Sequence, residues 1–391
     1  MTLAAHERLD DVALLETADP SSMLRQVASS AAQVREAARM AAEADLGEIM
    51  AGGRPRAVVV TGMGGSGVAG EVLTAVAGPG CPVQVTAVHD YRLPGWVGAA
   101  DLVIAVSCSG ATEETLSAAE EAVRRGCRLL GVGGKGSPLE NLAEQAHASF
   151  IGVQSMGMPR SMLWGLSVPL VVVAARLGIL DMPEQAYESA AAELERVAYL
   201  CRPDSEAFVN PAKALALDLS GTLPMIWGTS PLTGVAATRF ACQLNENGKY
   251  PAISGVLPEA NHNQVVVFDG PFAAGPDDAL GSVQDGVAAV LDDSPVAGVD
   301  SGQAPPVPLR LVMLRDTREH PQVARRREES ARIAAERGIE VTELAAAGDL
   351  PLERLASLVQ LIDYAAVYLA IAGGVDPAPI AAIQELKARI A

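Results

Sequence analysis

Short apolar runs alternate with stretches of helical period through most of this chain. Arg56 to Thr61 reads as a buried strand, followed by a Gly-rich turn and a helix near Ser66 to Val76. Further strands are predicted at Pro82 to Val88, Leu102 to Ser107 and Arg128 to Val132, with a helix at Glu113 to Arg125. Pro159 and Arg160 open an apolar helix running to Leu177, and an acidic, Ala-rich stretch from Pro183 to Tyr199 reads as a linking helix. The β/α rhythm then restarts. Strands are predicted at Leu223 to Trp227, Gln264 to Phe268, Leu309 to Leu314 and Ile339 to Glu343. Helices are predicted at Leu232 to Leu244, Val323 to Arg337, Leu352 to Ala372 and Pro379 to Ile390.

Strands that alternate with helices imply an α/β fold built on parallel sheets covered on both faces. The pattern occurs twice, so two doubly wound, flavodoxin-like units are expected. The divisions are an N-terminal helical segment (1–50), a first unit (51–182), a linking helix (183–205) and a second unit (206–391). The segment 270–308 breaks the rhythm. It is rich in Gly, Pro, Ala and Asp, contains no Lys or Arg, and reads as a surface insertion with a lid as the alternative.

Composition fits this reading. Hydrophobic residues are 49% of the 391, enough for a large core, while aromatics are only 4%. The formal net charge of −18 argues against a nucleic-acid footprint, which needs clustered Lys and Arg. An anionic ligand must therefore be held by local devices such as loop amides and helix N-termini. The five cysteines are scattered and form no C-x-x-C pair, which argues against disulfides or a zinc site and for a reducing, cytoplasmic setting. The first residues lack the basic and apolar regions of a signal peptide, and the run Leu163 to Leu177 is too short for a membrane span. No cofactor or metal is expected, because the histidines are dispersed and show no ligand spacing.

Two turns carry candidate chemistry. Thr61-Gly62-Met63-Gly64-Gly65-Ser66-Gly67 joins a strand to a helix, where glycines allow close approach of a ligand and the helix start favours an anion. Its spacing departs from G-x-G-x-x-G, and no P-loop Lys follows. Ser107-Cys108-Ser109-Gly110-Ala111-Thr112-Glu113-Glu114-Thr115 sets the hydroxyls of Ser107, Ser109 and Thr112 around one turn. A plain N-cap needs one hydroxyl, not three, so a phosphate cradle formed with Gly65 and Ser66 is the better reading. Two polar islands in the second half, Leu244-Asn245-Glu246-Asn247 and Ala260-Asn261-His262-Asn263, each set a proton-transferring side chain between asparagines.

The serine-rich turn resembles the S-x-S-G-x-T-x-E-T motif of sugar isomerase (SIS) domains. With G-M-G-G-S-G, L-N-E-N, P-E-x-N-H-N and a terminal V-D-P-x-P…L-K, residues 50–391 resemble the bifunctional phosphoglucose/phosphomannose isomerases. The resemblance implies two SIS domains and a metal-independent aldose–ketose isomerisation. Fructose 6-phosphate would interconvert with glucose 6-phosphate and mannose 6-phosphate through a cis-enediol(ate). By the same resemblance Glu246 is the base and His262 the ring-opening acid, reaching the neighbouring subunit of a homodimer. Lys387 assists ring opening, and Arg160 stabilises the enediolate. Cys108, Ala111 and Ala378 stand where the family commonly has an aromatic, Asn and Thr, and Ala378 bears on the balance between the aldoses. Two other readings remain: a non-catalytic sugar-phosphate sensor, and another SIS enzyme such as the isomerase half of a glucosamine-6-phosphate synthase.

Overall fold

Strands β1 (Ala57–Thr61), β2 (Gln84–Val88), β3 (Leu102–Ser107), β4 (Arg128–Gly134) and β5 (Ser149–Val153) form one parallel sheet in the order β2-β1-β3-β4-β5. Strands β6 (Leu223–Gly228), β7 (Ile253–Val256), β8 (Leu309–Arg315) and β9 (Glu340–Ala345) form a second, ordered β7-β6-β8-β9 and also parallel. This computed structural model describes residues 2–273 and 307–390; most of the expected insertion 270–308 lies outside the described residues. Both sheets are flanked by helices, as a doubly wound α/β fold requires.

Strand periodicity decides which core each residue joins. In β1, Val58 and Val60 face a central apolar layer, whereas Val59 faces an outer one with Val103, Ala105 and the Ala118–Ala119–Ala122 stripe. The central layer is continuous between the two sheets. It takes in the helices Leu163–Arg176 and Pro351–Ala372 together with Leu9, Leu15, Leu24, Val27 and Val34 of the N-terminal segment. Pro351–Ala372 is long and apolar enough to cross a membrane, yet 94% of its apolar window is buried inside this fold. The acidic helix Gln185–Leu200 is more than a connector. It buries Ala186, Ala190, Ala191, Leu194 and Val197 at helical spacing.

One expected strand is corrected. Gln264 to Phe268 folds as a 3-10 turn, Gln264–Asp269, and the strand beside β6 is Ile253–Val256. Local polar groups win over the β-branched run. The Asn263 side chain accepts from the Gln264 backbone N–H. Gln264 accepts from the Trp227 indole at 2.6 Å and donates to the Ser254 carbonyl at 3.0 Å. Phe268 then stacks on Trp227 instead of extending the sheet. A second correction concerns Arg160. It lies in a separate 3-10 turn, Pro159–Ser161, ahead of the helix Leu163–Arg176 rather than inside its first turn. Strand β5 and the helices Pro138–Gln145 and Pro211–Leu219 add elements the periodicity did not mark.

The helix Gly65–Ala77 lies close on the sheet because of Gly70, where an added Cβ would come within 2.9 Å of Val60 Cβ. Gly70→Val should lift this helix from β1 and lower stability by about 1–3 kcal/mol, measured by urea denaturation.

Candidate functional site

Strand order reverses between β1 and β3, so the loops after these strands diverge and leave a crevice at their carboxyl ends. Both predicted turns lie there. Gly64 opens the first helix at φ +54°, and Ser66 Oγ accepts a hydrogen bond from the Cys108 N–H at 3.1 Å, tying the turns together. Thr112 occupies the N-cap position of the helix Glu113–Arg124, but its side chain makes no capping bond. It pairs with Ser107 Oγ at 2.9 Å instead. Ser109 Oγ accepts from the Ala111 N–H at 3.2 Å. Gly110, at φ +63°, is pressed so closely on Ser137 that no side chain would fit. The hydroxyls are therefore gathered by one another and not consumed as helix caps.

Arg160 reaches this crevice from behind. At Gly65 a Cβ would lie 3.2 Å from the Pro159 carbonyl oxygen and 3.4 Å from Arg160 Cα, so the arginine turn backs the start of the first helix. The side chain is 5% exposed. Its Nε donates to Asn247 Oδ1 at 2.6 Å, and Nη2 donates to the carbonyls of Pro377 and Ala378 at 2.8 and 2.7 Å. Nη1 stands 3.7 Å from Glu246 Oε2. Burial lowers the pKa of this guanidinium from its ordinary value, and Glu246 and Asp376 act against that.

A second layer fixes the arginine's backbone. Its carbonyl accepts from Arg239 Nη2 at 3.1 Å and Gln243 Nε2 at 3.0 Å, and Gln243 Oε1 accepts from Asn247 at 2.8 Å. Arg239 forms a buried two-pronged pair with Asp363 at 2.9 and 2.5 Å. Burial pushes the Asp363 carboxyl up, with Arg239 pulling against it. Glu246 is the last residue of the helix Pro231–Glu246, its side chain 30% exposed. Asn247 is thus a ligand of the arginine, a role that its place in the polar island did not specify.

The other predicted residues lie apart. His262 ends the 3-10 turn Glu259–His262; it is exposed and has no hydrogen bond among the described residues. Its neighbouring asparagines hold the turn: Asn261 donates to Ser330 Oγ and Asn263 to Glu259. Lys387 lies on the helix Ala381–Ile390, which buries none of its residues. Within one chain, then, Arg160 and Glu246 meet, and no hydrogen bond or ion pair among the described residues brings His262 or Lys387 to them.

Two basic residues near the crevice escaped sequence reasoning. Lys249, at φ +52°, donates to the carbonyls of Glu246 and Pro377 at 2.7 and 3.2 Å, fastening the Pro377 segment to the helix end. Burial pulls its ammonium below the ordinary value, and Arg160 adds to that. His89 packs on Gly67, with Nδ1 2.9 Å from the Gly62 carbonyl and Nε2 3.3 Å from Glu71. Glu71 raises the pKa of this imidazole. No short motif marked either residue.

The second sheet has a matching crevice between β6 and β8, but the chain fills it. Asp316, 3% exposed, accepts from Ser230 Oγ at 2.7 Å and lies 2.8 Å from Arg354 Nε. Its N–H donates to Thr229 Oγ1 at 2.8 Å. Of the two, the first crevice is the one that offers hydroxyls without a carboxylate among them.

Comparisons with known proteins agree with this architecture. Residues 208–390 match the family model of the bacterial phospho-glucose isomerase C-terminal SIS domain. The chain is 32% identical over 336 residues to the bifunctional phosphoglucose/phosphomannose isomerase of Caldicellulosiruptor bescii, covering 85% of this chain and 89% of that one. The enzyme of the same name from Aquifex aeolicus is 28% identical over 333 residues, with the same coverage. Among solved structures, a hypothetical protein of Thermus thermophilus superposes with a TM-score of 0.64 at 16% identity, over 100% of this chain and 94% of that one, a likeness of fold.

Two outcomes are expected. Arg239→Met strands the Asp363 carboxylate and should cost about 3–5 kcal/mol in urea denaturation, largely recovered when Asp363→Leu is added. For His89, an NMR titration should give a midpoint above about 6.5. The pairing with Glu71 stabilises the fold below the unfolded-state pKa, and that contribution fades as pH rises through the higher folded value. In His89→Asn that pH dependence should be absent from the stability profile.

Proposed function

The chain belongs to the bifunctional phosphoglucose/phosphomannose isomerase family and is a sugar-phosphate isomerase; we propose that it interconverts fructose 6-phosphate with glucose 6-phosphate and mannose 6-phosphate through a cis-enediolate, without a metal. One observation carries this reading: a buried guanidinium with one nitrogen outside its hydrogen bonds faces a carboxylate 3.7 Å away, in a crevice whose turn gathers hydroxyls that do not cap its helix.

In this reading the sugar's phosphate is held by Gly65 and Ser66 at the helix start and by Ser107, Ser109 and Thr112. Glu246 removes the proton from C2 of the open-chain aldose. The C–H electron pair becomes the C1–C2 double bond, and the carbonyl pair moves onto O1. Arg160 Nη1 faces that developing charge, a task otherwise suited to a Lewis-acid metal. Return of the Glu246 proton to C1 and transfer of the O2 proton to O1, with an O2 electron pair closing the C2 carbonyl, give the ketose. One enediolate serves both aldoses if C2 can be protonated on either face. Ala378 lends its carbonyl to Arg160 and offers no hydroxyl to the sugar, which leaves the balance between aldoses to other contacts.

The pyranose ring must open first, and His262 is the acid for that step, supplied as His262 of the partner subunit in a homodimer. Its exposure and its lack of a hydrogen bond among the described residues support this, as do the exposed side chains of Val266 and Ile253 nearby. Lys387, on an exposed helix carrying Ile383, Leu386 and Ile390 on its surface, assists from the same interface.

Purified protein given fructose 6-phosphate in the presence of EDTA should form both aldose phosphates. Binding without any product would instead favour the sugar-phosphate sensor. Glu246→Gln should keep sugar-phosphate binding and lose turnover by orders of magnitude. Co-refolding Glu246→Gln with His262→Asn should restore about a quarter of wild-type activity, because half of randomly assorted dimers then hold one intact site. No restoration would place both residues in the same chain's site.

A further inference from the structure

We propose that Gln26 is a positioning residue for the isomerisation, acting through Arg160. The inference rests on the reading of Arg160 as the group that faces the enediolate. The N-terminal helices lie before the segment whose motifs carry the chemistry, and no motif assigns them a catalytic task. Yet Gln26, between Ser22 and the helix Ser30–Glu43, reaches the arginine turn directly.

Gln26 Oε1 accepts from the Met158 N–H at 2.7 Å and from Ser161 Oγ at 3.2 Å, bracketing Pro159 and Arg160. Its Nε2 donates to the Ser21 carbonyl at 2.8 Å, so the amide orientation is set from both ends. The approach depends on Gly157, where a Cβ would lie 2.5 Å from Gln26 Oε1. Gln33 supports the same turn, its Nε2 donating to the Ser161 carbonyl at 2.8 Å.

Gln26 is itself anchored. Asp19, 6% exposed, accepts from the N–H groups of Met23 and Leu24 at 2.7 and 2.9 Å, fixing the helix start. Gln360, in the buried helix Pro351–Ala372, donates to the Val27 carbonyl at 3.0 Å. Ser22 is held at φ +54°, a conformation rare outside glycine, so this turn is held by its surroundings. The guanidinium is located by Asn247 at the end of the helix Pro231–Glu246 and by the Pro377 segment, and its backbone by Arg239 and Gln243. Gln26 closes the remaining side. A shift there moves Nη1 relative to the reacting carbons, while Ser107, Ser109 and Thr112, on the far side of the cradle from Gly65, make no hydrogen bond to the arginine turn among the described residues.

The test uses the full chain with fructose 6-phosphate. Gln26→Ala should lower kcat about ten- to a hundredfold, as expected for a misplaced catalytic group. KM and inhibition by inorganic phosphate should stay within about twofold, since uniform binding is untouched. Inhibition by the open-chain aldonate 6-phosphate should weaken, because its C1 carboxylate carries charge where the enediolate oxygen forms. Gln26→Glu keeps both acceptor contacts but loses the bond to the Ser21 carbonyl, so its kcat should lie above that of Gln26→Ala and below wild type. Should Gln26→Ala fail to fold, Gln26→Met keeps the volume and carries the same expectations. Wild-type kcat in the Ala or Met variant overturns the proposal. So does a loss of phosphate affinity in step with kcat, which would mean general loosening. Arg160→Lys, assayed in parallel, separates the two levels. If it keeps wild-type kcat, the oxyanion reading fails and this proposal with it; if it loses turnover while the Gln26 variants do not, only the positioning role fails.

Discussion

Placing one guanidinium in the interior, charged and correctly aimed, is the constraint on which the rest of this site depends. Removing such a group from water costs several kcal/mol unless its donors are met. Arg160 meets that cost mainly with neutral oxygens: the Asn247 side chain and the carbonyls of Pro377 and Ala378. Those acceptors come from the end of the helix Pro231–Glu246 and from the segment after the helix Pro351–Ala372. The arginine itself lies in the connection leaving the first sheet. The two sheets must therefore be docked before the arginine is satisfied, and the continuous central core supplies that docking.

The two crevices show how a duplicated architecture takes on different tasks. Both arise where strand order reverses, for the same topological reason. In the second, Asp316 and Arg354 close an internal ion pair at the mouth, backed by Ser230 and Thr229. In the first, the polar groups are hydroxyls and amides that bond to one another, with no carboxylate partner in those bonds. With a net charge of −18, a turn of neutral donors would also avoid presenting a carboxylate to the phosphate proposed to bind there.

Much of this was legible in the sequence. The alternation of strands and helices pointed to parallel sheets, because burial on both faces demands continuous apolar runs such as Val58 to Val60. The clustered hydroxyls of Ser107, Ser109 and Thr112 pointed away from a plain helix cap, and in the structure Thr112 makes no capping bond and pairs with Ser107 instead. What could not be read depended on tertiary partners. Val265 to Val267 looks like a strand by composition, but Gln264 and Asn263 commit it to a turn through bonds to Trp227, Ser254 and the local backbone. Asn247 and Gln243 carried no hint that they serve Arg160, because their partner lies over eighty residues away in the chain. Lys249 and His89 are single polar residues with no repeating neighbour, and only the fold reveals what they touch.

Arg239 and Arg160 lie side by side, and the contrast between them explains why a buried charge can be kept for chemistry. Arg239 is matched by Asp363 in a two-pronged pair, so its charge is neutralised within the protein, and Nη2 also donates to the Arg160 carbonyl. Had Arg160 been paired in the same way, little of its field would remain for a substrate. Its neutral acceptors satisfy hydrogen bonding without cancelling charge, and the one carboxylate nearby, Glu246, stands off at 3.7 Å on the Nη1 side. A group forming negative charge next to Glu246 would meet an arginine already oriented, with no solvent shell to rearrange. Preorganised dipoles and charges stabilise most when the protein, and not the substrate, has met the cost of arranging them. The polar layer around Arg160 is where this chain meets it.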